Sequence, residues 1–387
     1  MPIKPIRLAM LCVLAMLSYF SHAQSVIIGS NVNLPPDSIT RNQLLRSLNG
    51  FLAQKEKTNK DNSYVLKEYL PETSDLLDEI KRMEQNNVLK VPDFYKCYLT
   101  NAAKTGENDY VVQIAYIGIK DNAPVLRAAF RLQAKREGVQ FYFNSPLKQN
   151  TISWRMKKFG NLTCYFKDTL NAADVKAYQK QLAFYDKKLN APDWPIAYYY
   201  CDNFTEVQQI LGIDYKLDYN GTIYNSLTAH ENNMNLTLNA SISYPHRFDA
   251  HDLFHERLAL VMKSNVNRPV NEGCAYLYGG SWGYTWDEVL AKFKNYAAAN
   301  PNADWLKLYT ESNTFESGEK PLYVAYVLNA LIVQKIEREK GFAPVMELLG
   351  CGLRQKGDEN YFKALEKITD IIKADFNVKM WELIKGS

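Results

Sequence analysis

Two histidines four residues apart, in a chain that has only five, are the residues best suited to chemistry. They are His251 and His255 in the run His251-Asp252-Leu253-Phe254-His255. On a helix, positions i and i+4 share one face, so both imidazoles can grip one ion. Glu272 follows seventeen positions after His255, in Asn271-Glu272-Gly273, within a second apolar segment. Two imidazoles and a distant carboxylate form a donor set for a hydrolytic zinc site. Three protein ligands leave a fourth position for water, and zinc brings the pKa of that water down toward about 7. A carboxylate beside the water then acts as general base. Asp252 stands where the H-E-x-x-H pattern has Glu. Asp is shorter by one methylene, about 1.5 Å, and a general base must come within about 2.6–3.2 Å of the proton it takes. Metal-assisted hydrolysis is the chemistry expected, and the reach of Asp252 decides how well it runs.

The elements that must hold these groups are legible around them. Asp249 can cap a helix over 249–262, with Phe254, Leu258 and Val261 on a stripe beside the histidines. Further helices are expected over Val270–Tyr278, Thr285–Ala298, Pro321–Lys340, Ala343–Gly350 and about Glu359–Ala374, so the pattern is helical from Phe248 to the end. Upstream, Asn161–Phe166 and Pro195–Tyr200 read as strands. Between them, Ala172–Leu189 reads as a helix with Val175, Tyr178, Leu182, Tyr185 and Leu189 on one side. Phe204–Leu211 is a short helix, with Asp202 or Thr205 as its cap and Gly212 as its stop. Thr222–Tyr224 and Met234–Tyr244 add strands. The alternation of Met234, Leu236, Leu238, Ile242 and Tyr244 predicts one buried face.

Residues 24–150 form a separate unit in this reading. Asp37 opens a helix with Leu44, Leu45, Leu48, Phe51 and Leu52 at helical spacing, and a second helix fits Glu72–Met83. Strands follow at Phe94–Leu99, Tyr110–Tyr116, Val125–Leu132 and Val139–Phe143, separated by turn signals such as Lys120-Asp121-Asn122. This order resembles the cystatin-like or nuclear-transport-factor-like α+β layout, which implies an accessory or binding module. The region contains no histidine.

The second segment resembles the gluzincin metallopeptidases, which include thermolysin and the aminopeptidase N family. Asn271-Glu272-x-x-Ala275 matches their N-E-x-x-A helix, and its NEG-x-A-Y form is most similar to the aminopeptidase branch and its short periplasmic relatives. The interval from His255 to Glu272 is close to that of the family, if slightly short. The run Tyr326-Val327-Leu328-Asn329-Ala330, ending in Glu339-Lys340-Gly341, looks like the family helix that supplies a tyrosine to the oxyanion. The resemblance covers about residues 155–387. It implies an α+β fold whose domain over 151–387 is a mixed sheet followed by a helical part. It implies zinc held by His251, His255 and Glu272, with Asp252 as base and Tyr326 at the oxyanion (Tyr323 second). It also implies a peptide or protein substrate, paired by β-augmentation along the strand before the His helix. The Glu-to-Asp departure gives the alternative: a catalytically weak or inactive relative that binds peptide or glycan.

Composition bounds the rest. A net charge of +4 over 387 residues, with no basic stripe, argues against nucleic acid. Lys4 and Arg7, the apolar run Leu8–Leu17 and Ser21-His22-Ala23 read as an export leader over 1–23, giving a periplasmic or secreted chain. No later segment reaches eighteen apolar residues, so no membrane span is expected in the mature chain. The mature chain keeps Cys97, Cys164, Cys201, Cys274 and Cys351, an odd number at wide spacing, which reads as buried thiols; only Cys164 with Cys201 suggests a bridge. Sequons occur at Asn161, Asn203, Asn220, Asn235 and Asn239. His246 and His230 are expected on loops, Arg257 and Glu256 on a solvated helix face, and Trp282 and Trp286 in the core or a cleft wall.

Overall fold

The computed structural model describes residues 25–221, 224–240 and 247–387. The leader, Thr222-Ile223 of one expected strand, the end of the Met234–Tyr244 strand, and His246 lie outside the described residues. By its contacts the chain divides into two compact units. One comprises residues 25–168 with Trp194–Ala240; the other comprises Thr169–Asp193 with 247–387. The chain therefore passes between the units three times, and this division does not coincide with a single boundary at 150.

In the first unit, β1 (Ile27–Ile28) leads to α1 (Ser38–Ala53), which starts where Asp37 accepts from the Thr40 amide at 2.8 Å. Helix α1 buries Leu44, Leu48, Phe51 and Leu52, and Phe51 meets Phe143 at 5.3 Å between ring centres. After α2 (Leu70–Ile80) come β2 (Lys96–Lys104), β3 (Asp109–Lys120), β4 (Ala123–Glu137) and β5 (Gln140–Asn144), an antiparallel meander. Asp121 and Asn122, both at positive φ, make the two-residue turn between β3 and β4. Strand β1 extends this sheet beside β2, in parallel.

A second sheet in the same unit uses β6 (Arg155–Phe159) and β7 (Leu162–Phe166). The chain then runs through α3 (Ala172–Leu189), which belongs to the other unit, and returns as β8 (Ile196–Tyr200). Next are α4 (Phe204–Leu211), β9 (Ile213–Lys216), β10 (Ser226–Glu231) and β11 (Met234–Asn239). The order is β10-β11-β8-β7-β6, with β7, β8 and β11 parallel and both outer strands antiparallel. Strand β9 pairs with β4 of the first sheet. Both sheets feed one core, in which Phe130 and Phe143 are clustered with Tyr199, Leu236 and Leu238.

Several expectations need correction here. Strand β11 has buried residues on both faces, Asn235, Thr237 and Asn239 on one and Leu236 and Leu238 on the other. Strand β11 lies between β10 and β8 and so has no open edge; among the described residues β10 and β6 are the edge strands of this sheet. The cap of α4 is Asn203, which accepts from the Glu206 amide at 2.9 Å, with Gly212 as the stop at φ 101°. His230 sits in β10 rather than on a loop, its Nδ1 2.8 Å from Asn235 Oδ1. Asn235 and Asn239 are 2% and 4% exposed, so the folded chain hides two of the five sequons. The five described cysteines are free thiols, Cys351 half-buried and the rest buried.

The second unit is helical. It holds α3, α5 (Ala250–Val261), α6 (Arg268–Gly279), α7 (Trp286–Ala299), α8 (Trp305–Thr310), the strand pair β12 (Thr314–Glu316) and β13 (Leu322–Tyr323), α9 (Val324–Lys340), α10 (Ala343–Leu349), α11 (Glu359–Thr369) and α12 (Phe376–Gly386). Helix α3 buries the expected stripe Val175, Tyr178, Leu182, Tyr185 and Leu189. Helix α9 is apolar nearly all round, from Val324 through Ile336, and packs against α6, α7, α8, α10 and α12 as the centre of the unit. No helix among the described residues is long and apolar enough to cross a membrane.

Arg257 is not on a solvated face. It is 3% exposed, its Nε donates to Asp186 Oδ1 at 2.6 Å, and its guanidinium also reaches the Pro192 carbonyl at 3.1 Å. This pair ties α5 to α3. Asp186→Asn strands the guanidinium without its counter-charge, and is expected to cost about 3–5 kcal/mol. A fall in the urea midpoint would show it; an unchanged midpoint would mean that the pair carries no stability.

Candidate metal centre

Helix α5 begins where Asp249 accepts from the His251 amide at 2.9 Å, and its first two turns present His251 and His255 side by side. Helix α6 begins with Pro269 in its first turn and carries Asn271 and Glu272 toward α5. Two glycines of α6 set how closely the three helices meet. A Cβ on Gly279 would lie 2.5 Å from the His251 amide nitrogen, and one on Gly273 would lie 2.6 Å from the Asn329 Cβ of α9. Real Cβ atoms do not come that near, so both close approaches require glycine. Asn329 is itself fully buried and pinned by its Nδ2 to Ala325 O at 2.8 Å and by the Tyr361 hydroxyl at 3.0 Å.

The result is a convergence of three donor atoms. The two Nε2 atoms lie 3.1 Å apart, and Glu272 Oε2 lies 3.4 Å from His251 Nε2 and 3.9 Å from His255 Nε2. Zinc bonds of about 2.0–2.1 Å at tetrahedral angles put neighbouring ligand atoms about 3.3 Å apart. The triad is close to that spacing without rearrangement. The tautomers fit as well. His251 Nδ1 is 2.8 Å from the Gly280 carbonyl oxygen, which can only accept, so Nδ1 carries the proton. His255 Nδ1 donates likewise to Asn271 Oδ1 at 2.9 Å. Both Nε2 lone pairs therefore turn toward one another and toward a carboxylate oxygen, an array that attracts a cation. The residues fit a zinc-type ion.

The electrostatics follow from this crowding. Burial opposes a charge on His251, yet Glu272, the Gly280 carbonyl and Asp252 hold its pKa above the ordinary value. Burial and the neighbouring His251 push His255 below its ordinary value. Burial also opposes ionisation of Glu272, but the His251 hydrogen bond and the charges of both histidines and Arg268 keep it below the usual range. Of the two imidazoles His251 is thus the one that takes a proton more readily, and the carboxyl of Glu272 favours its charged form. Asp252 is half-buried. Burial first, and then the negative charges of Asp249 and Glu272, push its carboxyl up to about 6, against the opposing pull of His251.

Helix α9 contributes Tyr326, half-buried, its ring 5.5 Å from Tyr276 and 4.9 Å from Tyr323. Burial and the charge of Glu272 raise its pKa against the opposing charge of Arg268, so the phenol keeps its proton. Tyr276 stands between the helices, 5.7 Å from the His251 ring. The structure therefore brings His251, His255 and Glu272 into one cluster, with Asp252 and Tyr326 inside their electrostatic range. Trp282 is 41% exposed rather than in the core, in a left-handed backbone conformation (φ 53°), its indole bound to the Pro321 carbonyl at 3.0 Å.

Sequence reasoning missed the partners of the ligands. In the sequence Asn271 is one letter of a motif; in the fold it orients His255. Gly280, which orients His251, follows Gly279 in a pair whose tight approach no local pattern reveals. Arg268 belongs to no motif that would mark it.

Compared with known proteins, the chain matches no family model and no curated sequence.

Gly273→Ala forces a methyl against the α9 backbone and is expected to destabilise the protein by about 1–3 kcal/mol. A lowered melting temperature checks this. A melting temperature equal to that of the parent would mean that α6 and α9 can separate at no cost.

Proposed function

We propose that this chain is an exported, zinc-dependent peptidase of the gluzincin type. The observation that carries the reading is the approach of three donor atoms to within 3.1, 3.4 and 3.9 Å of one another, with both Nδ1 atoms engaged elsewhere. His251, His255 and Glu272 would hold the ion. When bound there, zinc supplies Lewis acidity toward a carbonyl and lowers the pKa of a water. The side chains do the rest. Asp252, with its carboxyl raised to about 6, is poised to take a proton near neutrality. The Tyr326 phenol stays protonated and can donate to negative charge developing on a carbonyl oxygen. Asn271 and the Gly280 carbonyl fix the imidazole rings. In the same reading residues 1–23 are the export leader. The first sheet, with α1 packed on β5, is a cystatin-like or nuclear-transport-factor-like accessory module. The substrate class is peptide or protein.

One observation favours a second reading. Asp252 is shorter than the Glu of the H-E-x-x-H pattern by about 1.5 Å, and such a base forfeits rate if it cannot reach the water. The chain would then bind peptide or glycan without cleaving it.

Protein prepared without chelator is expected to contain one zinc per chain, lost in His255→Ala. Absence of zinc from the parent protein by metal analysis would sink the proposal. Asn271→Ala is expected to weaken zinc binding about 10–100-fold in chelator competition, with the helical circular dichroism retained. Asp252→Glu separates the two readings. Increased cleavage of a peptide library would mark a site limited by reach; no cleavage by the parent or by Asp252→Glu would favour the binding module.

A further inference from the structure

We propose that Arg268 is a specificity-determining residue of this centre, receiving a carboxylate that the substrate carries beside the bond under attack. The inference rests on the metal reading above and adds the substrate class to it.

Arg268 is the first residue of α6, one turn ahead of Glu272. Its side chain is 77% exposed, while that of Glu272 is 18% exposed. The two oxygens of Glu272 are divided between two tasks. Oε2 faces the imidazoles, and Oε1 faces the Arg268 Nε at 3.6 Å. The positive charge of the guanidinium also acts on the Tyr326 phenol, opposing the rise of its pKa. It therefore stands beside a metal-ligand carboxylate, within the electrostatic range of the candidate oxyanion donor, with most of its surface in water.

Neutralising Glu272 does not account for this placement. An ion pair at 3.6 Å whose guanidinium lies in water contributes little, about 0–1 kcal/mol, and a second cation beside a metal site lowers the affinity of that site. A guanidinium has five donors in a planar fork shaped for a carboxylate. The long contact through Nε leaves much of that fork to a ligand. A substrate whose carbonyl lies between the donor triad and Tyr326 would bring its neighbouring groups to Arg268. The anion has two possible sources in a peptide: an acidic side chain or a free α-carboxylate.

The test begins by measuring zinc content in the parent protein, Arg268→Lys and Arg268→Gln. Each zinc-containing protein is then titrated calorimetrically with three tripeptides: trialanine amide, trialanine free acid, and alanyl-glutamyl-alanine amide. The parent is expected to bind at least one anionic peptide about tenfold or more tightly than trialanine amide. Arg268→Lys should keep part of this preference and Arg268→Gln should abolish it, with zinc content equal in all three. Preference for the free acid identifies the α-carboxylate, and preference for the glutamyl peptide an acidic side chain. The proposal is overturned if zinc is bound but no anionic peptide is preferred, if the preference survives in Arg268→Gln, or if Arg268→Gln loses its zinc. Absence of zinc from the parent overturns the metal reading, and this inference with it.

Discussion

Helix α6 approaches its neighbours more closely than side chains permit, and the candidate centre depends on that approach. At Gly273 its backbone meets Asn329 and Ala330 of α9; at Gly279 it meets Ala250 and His251 of α5. The first contact brings Tyr326 to the side of Glu272, and the second brings the Gly280 carbonyl to His251. Helix α5 is in turn fixed from the other side by Arg257 on Asp186 and by the Tyr185 hydroxyl on the Ala250 carbonyl at 2.9 Å. Each group in the centre sits on a helix whose position is set by a close backbone contact or a buried ion pair. That is the rigidity a preorganised site requires.

Within that frame the electrostatics are concentrated rather than balanced. Two imidazole lone pairs and a carboxylate share a small, partly dehydrated space, and the surrounding acids Asp249 and Asp252 add negative charge. A proton is taken more readily by His251 than by His255, and a divalent cation would offset more of this negative charge. Outside the centre, charged side chains are paired across elements. Lys188 reaches Glu337 beneath the rings of Tyr278 and Phe342, so even this cation is enclosed by aromatic faces and a carboxylate.

Local patterns were legible wherever a short stretch carried its own reason. The stripe of α3 could be read residue by residue, and so could the Asp249 cap and the i, i+4 histidines, because helical spacing alone determines them. The Asp121-Asn122 turn was legible because those residues tolerate positive φ. What escaped depended on distant partners. Arg257 looked like surface because its type favours water, but its partner Asp186 lies 71 residues upstream. Strand β11 alternates in polarity, yet Asn235, Thr237 and Asn239 are buried nearly as deeply as Leu236 and Leu238, because packing on a strand's second face comes from parts of the chain that its own alternation does not record. The expected helix from Pro321 starts only at Val324, since Leu322–Tyr323 pair with β12. Three donors on two helices were readable; Asn271 and Gly280, which aim them, were not.

The threading of the chain bears on how this molecule could be cut. Helix α3 is separated in sequence from the rest of its unit by β8 through β11, and those strands share a core with Phe130 and Phe143. A fragment beginning at residue 151 would keep all the candidate ligands but would lose the apolar surface on which Tyr199, Leu236 and Leu238 are packed. During synthesis, too, α3 emerges long before the helices that cover it, and must wait for them with its stripe exposed. Neither unit is a contiguous stretch of sequence, so the two are expected to acquire their structure together rather than in succession.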